Sequence, residues 1–436
     1  MEGSSSRARG RYRESLAWLA RAEAVIPLAS QTFSKSRTQL PVGAAPLFAE
    51  RADGCRLWDV DGNEYIDMSS GLLCVTLGYR HPSVDEAVLR QLRSGITLSL
   101  PHRLESEVAE RIVAMVPSAE MVRFAKNGSD ATSGAVRLAR FHTGRDRVAV
   151  CGYHGWHDWY IGSTARRGGV PGAVSELTHT FTYNKLDELE SLLGQYPDEF
   201  AAVILEPMNL DYPAPGFLEG VRDACAARGV VLIFDETITG FRFSNGGAQQ
   251  AFGVEPDLAT FGKGLANGMP LSAIAGRRGL MMGMEEIFFS GTFGGETLSL
   301  AAAAAVLDLL LAEPVTETLA ERGALLQGRV REALTASGCS RFLELAGHPS
   351  WHIFRWTDDP GIDVWGLKTL LIQEMCQAGV FMIGSHGMTL AHSPSDLSAV
   401  VDAYSRALPT LASAASSADV GEFLQGPRLE PLFRVR

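Results

Sequence analysis

Apolar residues run unbroken from Val230 to Phe234, and the run stops abruptly on Asp235 and Glu236. A short stretch of this kind, rich in β-branched side chains, predicts a strand buried on both faces. Similar runs recur at Val122 to Ala125, Arg147 to Cys151, Ala201 to Leu205 and Asp257 to Gly262. Between them the apolar residues take helical spacing, after Ser129, from Glu219 to Arg228 and from Leu298 to Ala312. Strand and helix patterns thus alternate from about residue 120 to 310. That alternation predicts an α/β fold with a mostly parallel central sheet and helices on both faces.

The flanking regions read differently. Arg13 to Ala24 has helical spacing behind a polar tail. Leu57 to Met68 alternates around Asp61-Gly62-Asn63, which predicts a β-hairpin. His81-Pro82 opens a helix with Val84, Val88 and Leu92 on one face, and Glu105 to Met115 is a second amphipathic helix. Residues 30 to 50 read as a loop. Gly162 to Gly172, rich in glycine and arginine, reads as a mobile flap. Helices and short strands follow residue 312, including a His348-to-Trp356 segment.

Composition narrows the function classes. A chain of 436 residues suggests more than one domain, and 46% hydrophobic residues allow a sizeable core. The net charge of −11 argues against general nucleic-acid binding. No apolar run is long enough to span a bilayer. The first residues carry no apolar stretch after their charges, so no secretory signal is expected. Six cysteines without a CxxC pair read as reduced thiols in a cytoplasmic protein.

The candidate chemistry gathers at strand exits. Asp235 follows one buried run, and Lys263, between Gly262 and Gly264, follows another. Ligands of α/β sheets bind at that edge. A lysine for a Schiff base and an acid for a pyridine nitrogen are what pyridoxal phosphate needs. The plainer reading is a loop lysine and a helix cap. A loosened dinucleotide fingerprint at Gly262, Gly264 and Gly268, with Glu285 or Glu286 as ribose acid, has the wrong spacing. Gly128 and Ser129, between a strand and a helix, form either an anion site or a plain cap made by Ser129 or Asp130. Tyr153 could stack on a flat ring. His154 and His157 have HxxH spacing, but no further ligand set accompanies them and no metal site is expected.

Taken together, FDETITGFR, FGKGLANGMPLSAIAGR, LWDVDGNEYID, KNGSDAT, GYHGWHD, ILEP and GTFGGE resemble the class III aminotransferases of pyridoxal-phosphate fold type I. The similarity extends over nearly the whole chain and is strongest toward the glutamate-1-semialdehyde aminomutase-like members. It implies a large cofactor-binding domain over residues 71–310. A smaller α+β domain would be built from both chain ends, residues 1–70 and 311–436.

The resemblance also implies roles. Lys263 would hold the cofactor as an aldimine and move protons, and Asp235 would pair with the pyridine nitrogen. Gly128, Ser129 and Asp130 would lie at the phosphate, Tyr153 on one face of the ring, and Glu206 near the cofactor. Thr237 stands where the family usually has valine under the ring, and Asp130 where glutamate is common. Thr292 would reach the phosphate of a neighbouring subunit, which implies a homodimer. Ser34 and Arg37 fall where the aminomutase binds a substrate carboxylate, and an arginine can grip one with two parallel hydrogen bonds. Leu72 replaces a tryptophan of that pocket, and His386 is a substitute contact in an altered C-terminal loop. The expected activity is amino transfer from an amino donor to a carbonyl acceptor in a biosynthetic pathway of secondary metabolites or surface sugars. The alternative is an isomerase, an aminomutase or epimerase, on the same scaffold.

Overall fold

The computed structural model describes residues 10–431. Their contacts divide them into two compact units. One takes the described residues up to Arg80 and those from Thr318 onward; the other is His81–Glu317. The resemblance implies divisions after residues 70 and 310. Residues 71–80 join the first unit because Gly54 pairs with Tyr79 in an isolated bridge and the Tyr79 hydroxyl donates to Asp67 at 2.6 Å.

The first unit carries two small sheets. In one, β1 (Ala49–Asp53), β2 (Arg56–Asp59) and β3 (Glu64–Asp67) form an antiparallel meander. The hairpin expected around Asp61-Gly62-Asn63 is present as β2 and β3. Its turn is tied by the Asp59 carboxylate, which accepts the backbone N–H groups of Asp61 and Asn63. Strand β1 lies at the end of the stretch read as a loop; its residues are mostly exposed, so no apolar run marks it.

The second unit is built on β4 (Met121–Ala125), β5 (Arg147–Cys151), β6 (Thr178–Thr180), β7 (Phe200–Leu205), β8 (Val231–Asp235), β9 (Leu258–Phe261) and β10 (Ser272–Gly276). Their order in the sheet is β4-β10-β9-β8-β7-β5-β6. Pairing is parallel from β9 through β6, while β10 runs antiparallel to both its neighbours. The fold is α/β with a mostly parallel central sheet, as the alternation of patterns predicts. Both faces are buried, which is why the strands read as continuous apolar runs. Val231 and Ile233 of β8 pack with Ala131, Ala135 and Leu138 of the helix Gly128–Thr143. Leu232 and Phe234 point the other way, into a core with Val221 and Cys225.

The chain then returns to the first unit. Strands β11 (Leu343–His348), β12 (Trp351–Trp356) and β14 (Ser385–Gly387) form an antiparallel sheet, and β13 (Val380–Phe381) adds in parallel to β3. Its helices include Val364–Gln377 and Pro394–Ala415, the latter opened by a capping box at Ser393 and Asp396.

Candidate active site

The pleat of β8 decides where its terminal acid points. Side chains alternate along a strand, so Asp235 falls on the face of Val231 and Ile233, toward the helix Gly128–Thr143. There the carboxylate is buried and hydrogen-bonded. Its Oδ2 faces His154 Nδ1 at 2.9 Å. Its Oδ1 accepts from the Thr237 hydroxyl at 2.6 Å, the Thr237 backbone N–H at 3.1 Å and the Thr260 hydroxyl at 3.1 Å. Burial alone pushes the Asp235 carboxyl up. The hydrogen bond and charge of His154, with the Thr237 donors, outweigh it and hold the acid below its ordinary range.

His154 is held from the other side by the Cys151 carbonyl, 3.1 Å from Nε2. Thr132 of the helix donates its hydroxyl to the His154 carbonyl at 2.8 Å. The segment that follows β5 therefore packs directly on the helix start. A Cβ at Gly155, where φ is +103°, would overlap the Ser129 hydroxyl. Gly152, at φ +105°, makes similar room for the Glu206 carboxyl. That carboxyl follows β7 and accepts the Tyr153 backbone N–H at 3.1 Å and the Asn209 amide at 2.9 Å. Burial, then the nearby Asp235 charge, pushes Glu206 up. Tyr153 itself keeps 45% of its surface exposed, so a ring face is available for stacking.

Lys263 opens a short turn two residues after β9. Its φ of 42° puts a non-glycine residue in the left-handed region, a conformation that costs about 1 kcal/mol or more and clusters at functional sites. The Thr237 methyl links the pieces. It stands 3.1 Å from where a Cβ on Gly128 would lie and 3.3 Å from one on Gly262. One side chain thus touches the acid, the helix start and the glycine before the lysine.

The structure brings together some of the predicted residues and not others. Gly128, Ser129, Tyr153, Glu206, Asp235, Thr237 and Lys263 are gathered at the exits of the parallel strands. Asp130 serves the helix cap: its Oδ2 accepts the Asn127 backbone N–H at 2.8 Å, in a capping box with Asn127. Thr292 is exposed in the loop before the helix Thr297–Ala312, with Phe288 and Phe293 also exposed. The remaining candidates belong to the other unit. Ser34 is exposed, and Leu72 lines a cavity with it. The Arg37 guanidinium is paired with Glu23 at 2.6 Å. His386 corrects the expectation. It is fully buried, with Nε2 2.8 Å from the Tyr404 hydroxyl and its ring against Phe354, so it is a core residue and not a surface contact.

Sequence reasoning missed His154 and Thr260 as partners of Asp235. Both stand at strand exits on the same sheet edge, which was the available signal. The HxxH spacing was misleading, because His157 turns instead to the Ser133 hydroxyl, 2.6 Å from its Nδ1. Among the described residues no cluster of His, Cys, Asp and Glu could hold a metal ion.

This constellation suits a phosphorylated pyridine. An ionised buried acid matches a ring N–H. The first amides of a 16-residue helix lack acceptors within the helix and suit a phosphate. The model of the family Aminotransferase class-III matches residues 39–342. The chain belongs to the class III aminotransferases. As a member of that family it is a fold type I enzyme that depends on pyridoxal phosphate. It is 38% identical over 399 residues to a glutamate-1-semialdehyde 2,1-aminomutase of Syntrophobacter fumaroxidans, covering 85% of this chain and 92% of the relative. A 3-aminobutyryl-CoA aminotransferase of Cloacimonas acidaminovorans is 34% identical, over 84% of this chain and 90% of the relative. Among solved structures, the FumI protein of Sphingopyxis sp. MTA144, in its PLP internal aldimine form, is 29% identical with a TM-score of 0.86, covering 94% of this chain and 100% of that one. Class III relatives thus include both aminotransferases and aminomutases.

Proposed function

We propose that this class III enzyme is an aminotransferase, moving an amino group from a small amino donor to a separate carbonyl acceptor in a biosynthetic pathway. The observation that carries the reading is the buried Asp235, ionised by its partners, on the strand next to the one that delivers Lys263. Pyridoxal phosphate, when bound, supplies the electron sink for the carbon that loses its proton. The chain's own residues do the rest. The Lys263 amine holds the cofactor, takes the proton from the amino-bearing carbon of the donor, and returns a proton when the acceptor is aminated. Asp235 holds the ring nitrogen protonated. Gly128 and Ser129 bind the phosphate, with Asp130 fixing the helix start from which their amides project. Thr237 would pack against one face of the ring and Tyr153 against the other. Glu206 fixes the backbone of Tyr153. Thr292, exposed in its loop, donates to the phosphate of a second copy in a homodimer. Ser34 and Leu72 contact the substrate.

An isomerase remains the second reading, supported by the 38% identical aminomutase. The retained Ser34 and Arg37 favour it as well, since Arg37 makes only an exposed ion pair with Glu23. The altered C-terminal loop and Leu72 favour transfer. Leu72 offers an apolar wall in place of tryptophan.

Lys263→Ala should abolish both the visible absorbance of the lysine-bound cofactor and turnover. A variant with full activity would overturn the assignment. In the wild-type enzyme, ¹⁵N from the donor should appear in a separately added keto acid. Conversion of one amino compound alone, without net nitrogen exchange, would instead establish the isomerase.

A further inference from the structure

A hydroxyl stands at Thr237 where the family usually has valine, and the structure gives that hydroxyl a partner. It donates to Asp235 Oδ1 at 2.6 Å. The Thr237 backbone N–H reaches the same oxygen at 3.1 Å, closing a turn between an aspartate and the residue two further on. The Thr260 hydroxyl, from β9, is a third donor to Oδ1, also at 3.1 Å. The Thr237 side chain has little freedom to turn away. A β-branched residue is stiff about χ1, and its methyl lies 3.1 and 3.3 Å from where side chains on Gly128 and Gly262 would begin. Exchanging methyl and hydroxyl would break the contact with the acid.

A carboxylate offers about four acceptor positions, two on each oxygen. Three donors crowd Oδ1, while Oδ2 faces His154 Nδ1 at 2.9 Å. A ring N–H therefore belongs to Oδ2, beside His154. The donors on Oδ1 still act on it, because the two oxygens share one negative charge. A hydrogen bond to an ionised group is strong because it draws on that charge. The Thr237 hydroxyl makes the shortest of the four contacts. Without it the other three still hold the plane of the carboxylate, so what is lost is a competitor for its charge. His154, Glu206, Tyr153 and Tyr160 are ionisable neighbours of Asp235. Thr237 is uncharged, and its replacement adds or removes no charge among them.

We infer that the Thr237 hydroxyl makes this residue a tuning and positioning group: it reserves Oδ1 for the protein and tempers the pull of Asp235 on the ring nitrogen of the coenzyme. The ring is then a weaker electron sink in this chain than it would be above a valine. The inference rests on the pairing of Asp235 with that nitrogen.

The test reconstitutes the enzyme with pyridoxal phosphate or with the analogue in which a C–H replaces the ring nitrogen, and measures both dissociation constants by dialysis. Both compounds bond to Lys263 and carry the same phosphate, so the ratio of the two constants isolates the contact with Asp235. Thr237→Val should raise the preference for pyridoxal phosphate about three- to tenfold, the scale of one hydrogen bond to a charged group. Thr237→Ala, which also lacks the hydroxyl, should do the same. Thr237→Ser, which keeps it, should retain the wild-type ratio, and the serine and alanine variants decide the matter if the valine variant does not fold. An unchanged ratio without the hydroxyl would mean that Thr237 only packs, and a lowered ratio that its hydroxyl supports the ring contact; either overturns this inference alone. A wild-type enzyme that binds both compounds equally would overturn the pairing of Asp235 with the ring nitrogen, and this inference with it.

Discussion

A carbonyl oxygen can only accept a hydrogen bond, and this governs the proton count at His154. Nε2 must carry a hydrogen to meet the Cys151 carbonyl, which leaves Nδ1 to face Asp235 at 2.9 Å. The acid is held below its ordinary range, and the contact is out of reach of water. Removing an opposite charge at this distance raises a carboxyl by about 1–3 pKa units. His154→Ala should therefore cut turnover about ten- to a thousandfold at low pH. Activity should recover as pH rises and Asp235 ionises again, and a pH–rate profile checks this. A loss equal at every pH would mean that His154 only fills space. Lys263 and Asp235 were legible in the sequence because each follows directly on a buried run. His154 was not, because its partner lies 81 residues away and only the sheet's strand order brings them together.

At the scale of elements, the glycine-rich loop at Ser290–Glu296 is tied to β4 and the Gly128 helix by basic side chains. Arg123 and Arg137 donate to the carbonyls of Phe289 and Phe288 at 3.0 and 2.9 Å. Lys126 pairs with Glu296 at 3.0 Å, both side chains largely buried. Glu296 also caps the helix Thr297–Ala312 through the Leu298 N–H and the Ser299 hydroxyl. Burial pushes its carboxyl up, but the Ser299 and Lys126 hydrogen bonds and the helix cap hold it down. Lys126→Met would leave that charge unpaired, at a cost of about 3 kcal/mol in stability. The double variant Lys126→Met with Glu296→Gln should regain most of the loss. Urea unfolding of the single and double variants measures both, and equal losses in the two would count against the ion pair as the anchor. The helices and parallel strands of this region were readable from apolar periodicity. Strand β10 was not foreseen, because a short small-residue run such as Ser272–Gly276 carries no strong strand pattern.

For the molecule as a whole, acid should act first on the unit built from the described residues up to Arg80 and from Thr318 onward. His352, His386 and His392 are completely buried there. Burial pushes His352 down to about 3 and His392 down to about 4, and His386 well below its ordinary value. In the unfolded chain each titrates near 6.5. Between about pH 6.5 and 4 the unfolded chain therefore binds more protons than the folded one, and stability falls as pH falls. The slope is about 1.4 kcal/mol per pH unit for each histidine, and it ends below the folded values. Asp67, raised by burial, acts in the opposite sense. Hydrogen exchange of the Trp351–Trp356 and Pro394–Ala415 segments, corrected for intrinsic rate, should show protection lost from pH 7 to 5. His352→Leu should flatten that dependence by about one proton's worth; an unaltered slope would mean that another group is responsible. These histidines could not be recognised from the sequence, where His386 read as a substrate contact, because burial depends on β12, β14 and the helix Pro394–Ala415 closing around them.

The insertion of β10 between β4 and β9 has a consequence for biosynthesis. Ser129 and its turn leave the ribosome early, yet the strand that hydrogen-bonds β4 to the rest of the sheet is translated after Lys263. A nascent chain halted before Ser272 would carry the acid, the lysine and the phosphate-binding turn without the splint that aligns them. Competence to capture the coenzyme should thus arrive as a single late event of synthesis rather than growing segment by segment.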